Sequence, residues 1–212
     1  MSSEMTYDQA SHATATGDVW LFQGKSTADK AIRTFTNSPV NHVGIVIALG
    51  DLPPLLWHAE LGKSIPDVWT GKHTRGAQLH RLNDAVSTWV HTYGQQPWMR
   101  QIDITVSAEA ETAALRTVAE FSGRTFPRTG ALAKRWVLGR IRRAVPLTDL
   151  YCAEVVAITY ERMGLLDDRR PANWYDPGSF WSGDELKLVG ARLGQEVKVT
   201  DVPPRAREIL DE

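Results

Sequence analysis

Residues 42–61 read HVGIVIALGDLPPLLWHAEL, and this stretch carries the clearest signal for the fold. Its first part, residues 42–49, is a continuous apolar run rich in β-branched residues, which is typical of a buried strand. GDLPP then favours a turn, because Gly and Pro interrupt regular structure. The LLWHAEL segment at residues 55–61 is a second strand candidate. Together they predict a hairpin with one histidine in each strand.

The rest of the chain mixes shorter strand and helix signals. Apolar or alternating runs predict further strands at residues 18–22, 77–82 and 100–106 and near residues 196–200. Capping residues and helical spacing predict helices from Ser26 or Thr27 through residue 36 and from Ser107 to Phe121. No regular pattern is present at residues 62–76 and 124–147. Strands flanked by helices, without regular β-α-β alternation, indicate the α+β class.

The composition is typical of a globular protein with a substantial core. The chain has 212 residues, of which 42% are hydrophobic and 23% charged. Its 24 basic and 25 acidic residues leave a net charge of −1, which does not indicate nucleic acid or an anionic membrane as an obligatory partner. The polar residues 1–16 are predicted to form a disordered lead-in, followed by a single domain over residues 17–212.

Several signals bear on the compartment. The N-terminal segment lacks the charged and apolar regions of a signal peptide. No apolar run approaches the roughly 18–20 residues that span a bilayer, so stable membrane insertion is not expected. A single cysteine cannot form an internal disulfide and requires no oxidising environment. The sequence therefore predicts a cytoplasmic location.

The single cysteine, Cys152, lies near the start of a predicted helix that ends at Gly164. Thr148 and Asp149 are both good N-cap residues, and a cap at Asp149 places Cys152 in the first turn. Free backbone N–H groups and the helix dipole stabilise a thiolate there, although the Asp149 charge opposes ionisation. The alternative is a small buried hydrophobic residue, since free cysteine is among the most buried residue types.

Two histidines supply partners for a reactive thiol. His42 opens the first hairpin strand, where it can act as a base toward a thiol on a facing helix. His58 and Glu60 share one face of the second strand, because side chains alternate along a strand. Either of them can orient the second ring nitrogen of His42. The other histidines are predicted to be solvated: His12, His73, His80 and His91.

Metal and cofactor signals are missing from the sequence. There is one Cys and no closely spaced His pair, so a zinc site is not expected. No GxxxxGK[ST] or GxGxxG loop is present to bind phosphates. We therefore expect no metal and no cofactor. The basic stretch at residues 134–143 is compatible with an anionic ligand or a lipid surface, and also with a solvated helix face.

Four motifs follow one another in a recognisable order. They are GDVWLF (17–22), TNSPVNHVGIV (36–46), the His-Ala pair at 58–59 and YCAEVV (151–156). GRTFP at 123–127 adds a weaker match to a Gly-x-Pro-Tyr segment, with the Pro displaced and Phe in place of Tyr. This order resembles the permuted papain-fold amidases related to NlpC, in which the His-bearing strands precede the Cys helix. The resemblance covers about residues 17–165.

The resemblance implies a circularly permuted papain-like fold, with an antiparallel half-barrel sheet packed against the Cys helix. It assigns Cys152 as the nucleophile, His42 as the base and His58 as the third catalytic residue. Glu60 stays open as the alternative third residue, because a carboxylate orients an imidazolium well. Tyr151, which precedes the Cys as in the family, is expected to line the site.

The function implied is that of a cysteine hydrolase that cleaves an amide or related acyl bond through a thioester. The substrate class covers small-molecule, peptide and lipid acyl compounds, and the aromatic residues Trp57 and Trp174 are candidates to bind it. One alternative is a lipid acyltransferase on the same fold. Another is a non-catalytic binding module with a structural Cys152.

Overall fold

The chain has a mixed α+β architecture around one seven-stranded sheet, in a computed structural model that describes residues 3–24, 38–62, 64–125, 134, 137–145, 150–181 and 186–205. In chain order the elements are β1 (Ser3–Thr6), α1 (Tyr7–Ala13), β2 (Val19–Gln23), β3 (His42–Ile47), β4 (Leu55–Glu60), β5 (Gly76–Arg81), α2 (Leu82–Ser87), β6 (Gln96–Arg100), α3 (Ala108–Phe121), α4 (Cys152–Arg162) and β7 (Val197–Thr200). A π-helical turn at Thr88–Thr92 extends α2, and 3-10 turns occur at Ala172–Trp174 and Pro177–Phe180. The α+β class predicted from the sequence is confirmed.

The strand order in the sheet is β1-β7-β6-β2-β3-β4-β5. Neighbouring strands pair antiparallel, except that β1 pairs parallel to β7. The predicted hairpin is confirmed: β3 and β4 pair with Ile45 opposite Trp57 and Val46 opposite Leu56. Strand β5 continues the meander, so the segments that carry His42, His58 and His80 are three successive strands.

Each face of the sheet is covered by its own apolar layer. Helix α4 packs on β3 and β4, and α3 packs against α4, which buries residues such as Val43, Ile45 and Trp57. On the opposite face, α1, α2 and the π-helical turn cover Trp20, Leu56 and their neighbours. Side chains alternate between these layers along each strand, as the period of two requires. Buried apolar surface on both faces is the main stabilising contribution to this arrangement.

Gly44 lets β3 and β4 approach closely in the middle of the hairpin. A Cβ at this position would lie 2.8 Å from the Leu56 side chain and 3.1 Å from Cβ of His58. Real Cβ atoms do not tolerate the shorter distance, so any larger residue would push β4 away. The glycine of the HVGIV motif therefore fixes the position of His58 relative to β3.

The Gly17-Asp18 pair of the first motif has a structural role. Gly17 adopts φ +95°, a conformation that favours glycine. The buried Asp18 carboxylate accepts hydrogen bonds from the N–H groups of Ala15 (2.8 Å) and Ile102 (2.9 Å). Burial raises the pKa of Asp18 to about 6, although these two N–H groups lower it. The carboxylate joins the start of β2 to the segment that follows β6.

Two expectations about secondary structure are wrong, and one helix was not expected. Residues 3–13, expected to be disordered, form β1 and α1, because Thr6 and Gln9 make a reciprocal cap and β1 gains backbone hydrogen bonds from β7. The strand expected at 100–106 lies instead at Gln96–Arg100, where β2 and β7 supply pairing partners. Helix α2 and its π-helical turn follow β5 directly and were not predicted.

Some predictions fall on residues outside those described. They concern the helix expected from Ser26 or Thr27 through residue 36, the caps at Thr148 and Asp149, and much of the irregular stretch 124–147. Among the helices that the structure does describe, none combines the length and the apolar content needed to cross a membrane.

Candidate active site

Helix α4 begins at Cys152, and Tyr151 rather than Asp149 is its N-cap residue. The Tyr151 N–H donates to Oε2 of Glu154 at 3.1 Å, which ties the cap to the first turn. The prediction that Cys152 lies in the first helical turn is confirmed. At this position the unpaired N–H groups of a helix start are close to the sulfur.

The Cys152 thiol is buried beside the start of β3, with 6% of the residue exposed. Burial, with a smaller contribution from the Glu154 carboxylate, raises the pKa of Cys152 to about 11. Backbone N–H groups of Val43, Ala153 and Cys152 itself oppose this rise, because they stabilise the thiolate. Desolvation raises the thiol pKa by more than the N–H groups at the helix start lower it, so the thiol is neutral at neutral pH.

Three histidines form a continuous hydrogen-bonded chain across β3, β4 and β5. Nε2 of His42 and Nδ1 of His58 are 2.9 Å apart, and Nε2 of His58 and Nδ1 of His80 are 2.8 Å apart. His42 is 8% exposed, His58 is 0% exposed and His80 is 1% exposed. The expectation that His80 is solvated is wrong, because α2 and the π-helical turn cover its face of the sheet. His12, His73 and His91 are exposed, as predicted.

Burial keeps all three rings uncharged near neutral pH. It lowers the pKa of His42 to about 3 and that of His80 to about 4, and it holds the pKa of His58 well below its ordinary value. Positive charge on one ring also opposes protonation of its neighbours. In the neutral state each ring has one N–H donor and one bare nitrogen acceptor, so each hydrogen bond in the chain has a defined direction.

An aromatic residue that sequence reasoning missed packs over the chain. The Trp89 ring stacks on His42 with a centroid distance of 4.9 Å and an interplanar angle of 28°. Its centroid is also 5.1 Å from that of His58 and 5.4 Å from that of Phe22. The π face of Trp89 favours positive charge on His42 when a proton arrives there. The sequence signal was a Trp in the apolar pattern that follows β5.

Val43 and Cys152 belong to the α4 layer, whereas the His42 ring packs with Phe22 and Trp89 on the opposite face of the sheet. The backbone N–H of Val43, the residue after His42, is one of the three that lower the pKa of the thiol. Among the described residues, no direct hydrogen bond joins the sulfur to the His42 ring. Because Nε2 of His42 bonds to His58, Nδ1 is the ring nitrogen left to exchange a proton with another group.

Glu60, the alternative third residue, makes a different contact. Its Oε1 accepts a hydrogen bond from the N–H of Gly62 at 3.1 Å, while both nitrogens of His58 bond to other histidines. Burial raises the pKa of Glu60 to about 7, and the Gly62 N–H partly offsets this rise. Of the two candidates, His58 is therefore the residue in contact with His42.

Replacing Glu60 by Gln should stabilise the protein at high pH. The folded-state pKa of about 7 exceeds the ordinary value of 4.5, because the buried site disfavours the charged carboxylate. Ionisation of Glu60 therefore lowers the free energy of unfolding as the pH rises from 4.5 to 7. At pH 8 we expect Glu60→Gln to raise the free energy of unfolding by up to about 3 kcal/mol, with the difference vanishing below pH 4.5.

Urea unfolding of both proteins across pH 4–8 measures this difference. Asp51→Asn changes an exposed carboxylate and is the control. A constant difference between Glu60→Gln and the parent protein at every pH would contradict the prediction.

The three expected substrate-binding residues have different surroundings. Tyr151 is buried, and its hydroxyl donates to the carbonyls of Asn173 (3.2 Å) and Tyr175, which ties the start of α4 to the 172–180 segment. Trp57 is fully buried in the α4 layer, on the opposite face from His58, so it offers no surface to a substrate. Its expected binding role is wrong for that reason.

Trp174 is half-buried beside the same segment. The guanidinium groups of Arg140 and Arg170 lie 4.6 and 3.9 Å from its ring centroid, and Tyr175 packs edge-on at 5.2 Å. These two cationic groups pack against the Trp174 ring, so the ring does not offer an apolar surface to an acyl group. Its role is to anchor the 172–180 segment against basic side chains.

The described parts of the chain contain no group of three or more His, Cys, Asp or Glu side chains placed to hold a metal ion. The three histidines lie in a row and bond to one another, so their nitrogens do not converge on one point. Their arrangement is suited to moving or orienting protons.

Comparisons with known proteins add little to this description. No protein-family model matches the sequence, and no curated protein does. Among solved structures, the chain is similar to the crystal structure of the metalloprotein yiiX from Escherichia coli O157:H7, DUF1105, at 18% identity and a TM-score of 0.47. The match covers 70% of this chain and 66% of that one, so this chain spans just under two thirds of that protein. A likeness of this degree carries no argument about fold or activity.

Proposed function

We propose that the chain is a cysteine hydrolase of the permuted papain-like type, which cleaves an amide or related acyl bond through a thioester at Cys152. The observation that carries the proposal is the 2.9 Å hydrogen bond between His42 and His58, in the two strands on which the helix that begins at Cys152 packs. A packing role for the thiol gives no reason for a buried, polar histidine chain in the strands that carry the Cys helix.

The reaction begins from a neutral thiol and a neutral imidazole. Nδ1 of His42, the first residue of β3, takes the thiol proton past the end of the strand as Sγ of Cys152 attacks the substrate carbonyl carbon, forming a C–S bond and an oxyanion. Backbone N–H groups at the start of α4 stabilise the oxyanion. His42 then gives its proton to the leaving group as the scissile bond breaks. Water, deprotonated by His42, hydrolyses the thioester and returns the thiol.

A neutral resting pair is favoured over a preformed thiolate–imidazolium pair. The pKa of Cys152 is raised to about 11 and that of His42 is lowered to about 3, so the thiol holds its proton far more strongly. Proton transfer therefore accompanies nucleophilic attack. His58 stabilises the transient imidazolium by accepting a hydrogen bond from Nε2 of His42.

The papain-like topology is supported by the order of the elements. Strands β3 and β4, which carry the base and its orienting residue, precede the Cys helix in the chain and pack against it. The motif resemblance in residues 17–165 gives the same order. A half-barrel sheet against a Cys helix is the arrangement that such enzymes use.

One observation favours a second candidate, a non-catalytic module with a structural thiol. Cys152 is 6% exposed and its pKa is raised by burial, as expected for a cysteine that serves in packing. This candidate predicts a thiol that does not react with acyl donors. It leaves the histidine chain without a role.

Acylation by p-nitrophenyl acetate separates these candidates. Intact-protein mass spectrometry should show one acetyl group per chain, located at Cys152 by peptide mapping and removed by neutral hydroxylamine, as for a thioester. Release of free acetate over time indicates hydrolysis. Transfer to an added lysophospholipid or amine would instead identify an acyltransferase. Acetyl groups found on lysines and never on Cys152 would support the structural thiol.

A further inference from the structure

The basic stretch at residues 134–143 has no part in the proposed reaction, and it lies in a strongly positive region of the chain. Residues 121–148 contain seven basic residues and no acidic residue, although the whole chain has a net charge of −1. A local positive charge of this size attracts an anionic partner. The described side chains of the stretch indicate which kind of anionic partner fits.

Two apolar side chains of the basic stretch are exposed to solvent among these charges. Val137 is 50% exposed and Ile141 is 60% exposed. The N–H of Ile141 donates to the carbonyl of Val137 at 3.3 Å, so the two residues are one helical turn apart and share a face. Burying two such side chains outside water is favourable, and the fold itself leaves them exposed.

Exposed arginines follow this apolar pair. The helical turn ends at Arg142, whose φ of +56° is a left-handed conformation that favours glycine. The N–H groups of Arg142 and Arg143 donate to the carbonyls of Gly139 (2.7 Å) and Leu138 (2.9 Å) and close the turn. Both arginines are exposed, and no described carboxylate forms an ion pair with either. An arginine in a conformation that costs it free energy indicates a use for its side chain.

The basic stretch is fixed to the folded domain near the start of α4. Gly139 packs so closely on Asn173 that a Cβ would lie 2.1 Å from the Asn173 carbonyl oxygen. Nδ2 of Asn173 donates to the carbonyl of Arg143 at 3.2 Å. The Asn173 carbonyl also accepts from the hydroxyl of Tyr151, the N-cap residue of α4. The exposed face of the stretch is therefore held in one position relative to α4.

We propose that this face is a docking surface for an anionic phospholipid bilayer, formed by Val137, Ile141, Arg142 and Arg143. The two apolar side chains enter the interfacial layer of the bilayer, and the arginines contact lipid phosphates. Nucleic acid fits less well, because its phosphates bind basic groups and its bases bind by stacking or polar contacts, which leaves two exposed aliphatic side chains unused. The surface does not rest on the proposed function, since none of its side chains takes part in that reaction.

The test is co-sedimentation of the full chain with phosphatidylcholine vesicles, with and without about 30% phosphatidylglycerol, at low and high salt. The parent protein should bind the anionic vesicles at least about twentyfold more tightly than the neutral ones, and high salt should remove most of this difference. Ile141→Gln removes one inserted side chain and should weaken binding about tenfold. The double variant Arg142→Gln/Arg143→Gln removes two charges, each contributing about fivefold, and should weaken binding about twentyfold.

Matched controls change exposed residues outside the basic stretch. Leu52→Gln is the control for Ile141→Gln, and Arg81→Gln/Arg192→Gln is the control for the double arginine variant. Both controls should bind anionic vesicles within about twofold of the parent protein.

Several results would overturn the proposal. They are absence of binding to anionic vesicles, equal binding to both kinds of vesicle, and losses in the controls as large as those in the matched variants. Unchanged binding in Ile141→Gln would also overturn it, because net charge alone would then explain the attraction. Tight binding of a single-stranded RNA without any binding to vesicles would assign the stretch to nucleic acid. Cys152→Ala should bind vesicles like the parent protein, so the outcome is separate from that of the acylation test.

Discussion

Replacing Cys152 by Ala should lower acyl turnover by about ten-thousand-fold or more, to the rate of the uncatalysed background. The substitution removes the atom that forms the thioester, and no other cysteine in the sequence can replace it. Loss of a nucleophile in enzymes of this type costs at least this factor. The measurement is release of p-nitrophenol from p-nitrophenyl acetate, with and without enzyme, at pH 7.

The same variant should keep its fold, which makes the loss specific. Ala is a good helix former at the first position of α4, and it removes one buried sulfur. We expect the free energy of unfolding to change by about 1 kcal/mol or less. Cys152→Ser is the matched control, because its hydroxyl keeps the size and polarity but is a weaker nucleophile. Turnover that survives in Cys152→Ala would contradict a covalent mechanism at this residue.

The parts of the site that the sequence predicted are those with strong local signals. The β3–β4 hairpin could be predicted from two apolar runs, at residues 42–49 and 55–61, and from the Gly-Pro turn between them. Within it, the period of two places His58 and Glu60 on one face. The same period places Trp57 on the other face, so its burial under α4 was also open to sequence reasoning.

His80 could not be placed by local pattern alone. Alternation in the AQLHRL segment predicts that His80 shares a face with Gln78, but it does not say whether that face is covered. The cover comes from α2 and Trp89, which follow β5 and have no distinct helical signal in the sequence. Burial that depends on a later element is tertiary information, and no window of a few residues contains it.

The N-terminal residues show the opposite failure. A polar composition suggested disorder at 1–16, yet β1 pairs with β7, almost two hundred residues away in the chain, with Ser3 opposite Val197. Composition predicts whether a segment can form its own core, and it carries no information about a distant edge strand that accepts hydrogen bonds. Tyr7 of α1 then packs against Trp20, with ring centroids 6.1 Å apart.

Replacing His42 by Gln should slow acetylation of Cys152 by about a thousand-fold, the typical contribution of a general base. Gln can still donate a hydrogen bond toward His58 through its side-chain amide, so the chain keeps a partner at that position. It has no nitrogen that accepts a proton near neutral pH. The measurement is the rate of acetyl incorporation by intact mass across pH 5–9, with His73→Gln as a control at an exposed histidine.

The pH dependence in the parent protein distinguishes a neutral pair from an ion pair. Since the pKa of His42 is about 3 and that of Cys152 about 11, the base is available and the thiol protonated across pH 5–9. Acetylation should therefore show no acid limb in this range, and alkylation by iodoacetamide should rise only toward pH 11. A midpoint of alkylation at pH 6–7 that moves upward in His42→Gln would instead establish a resting ion pair. Equal acetylation rates in His42→Gln and His73→Gln would remove His42 from the mechanism, because a base that assists attack cannot be lost without slowing it.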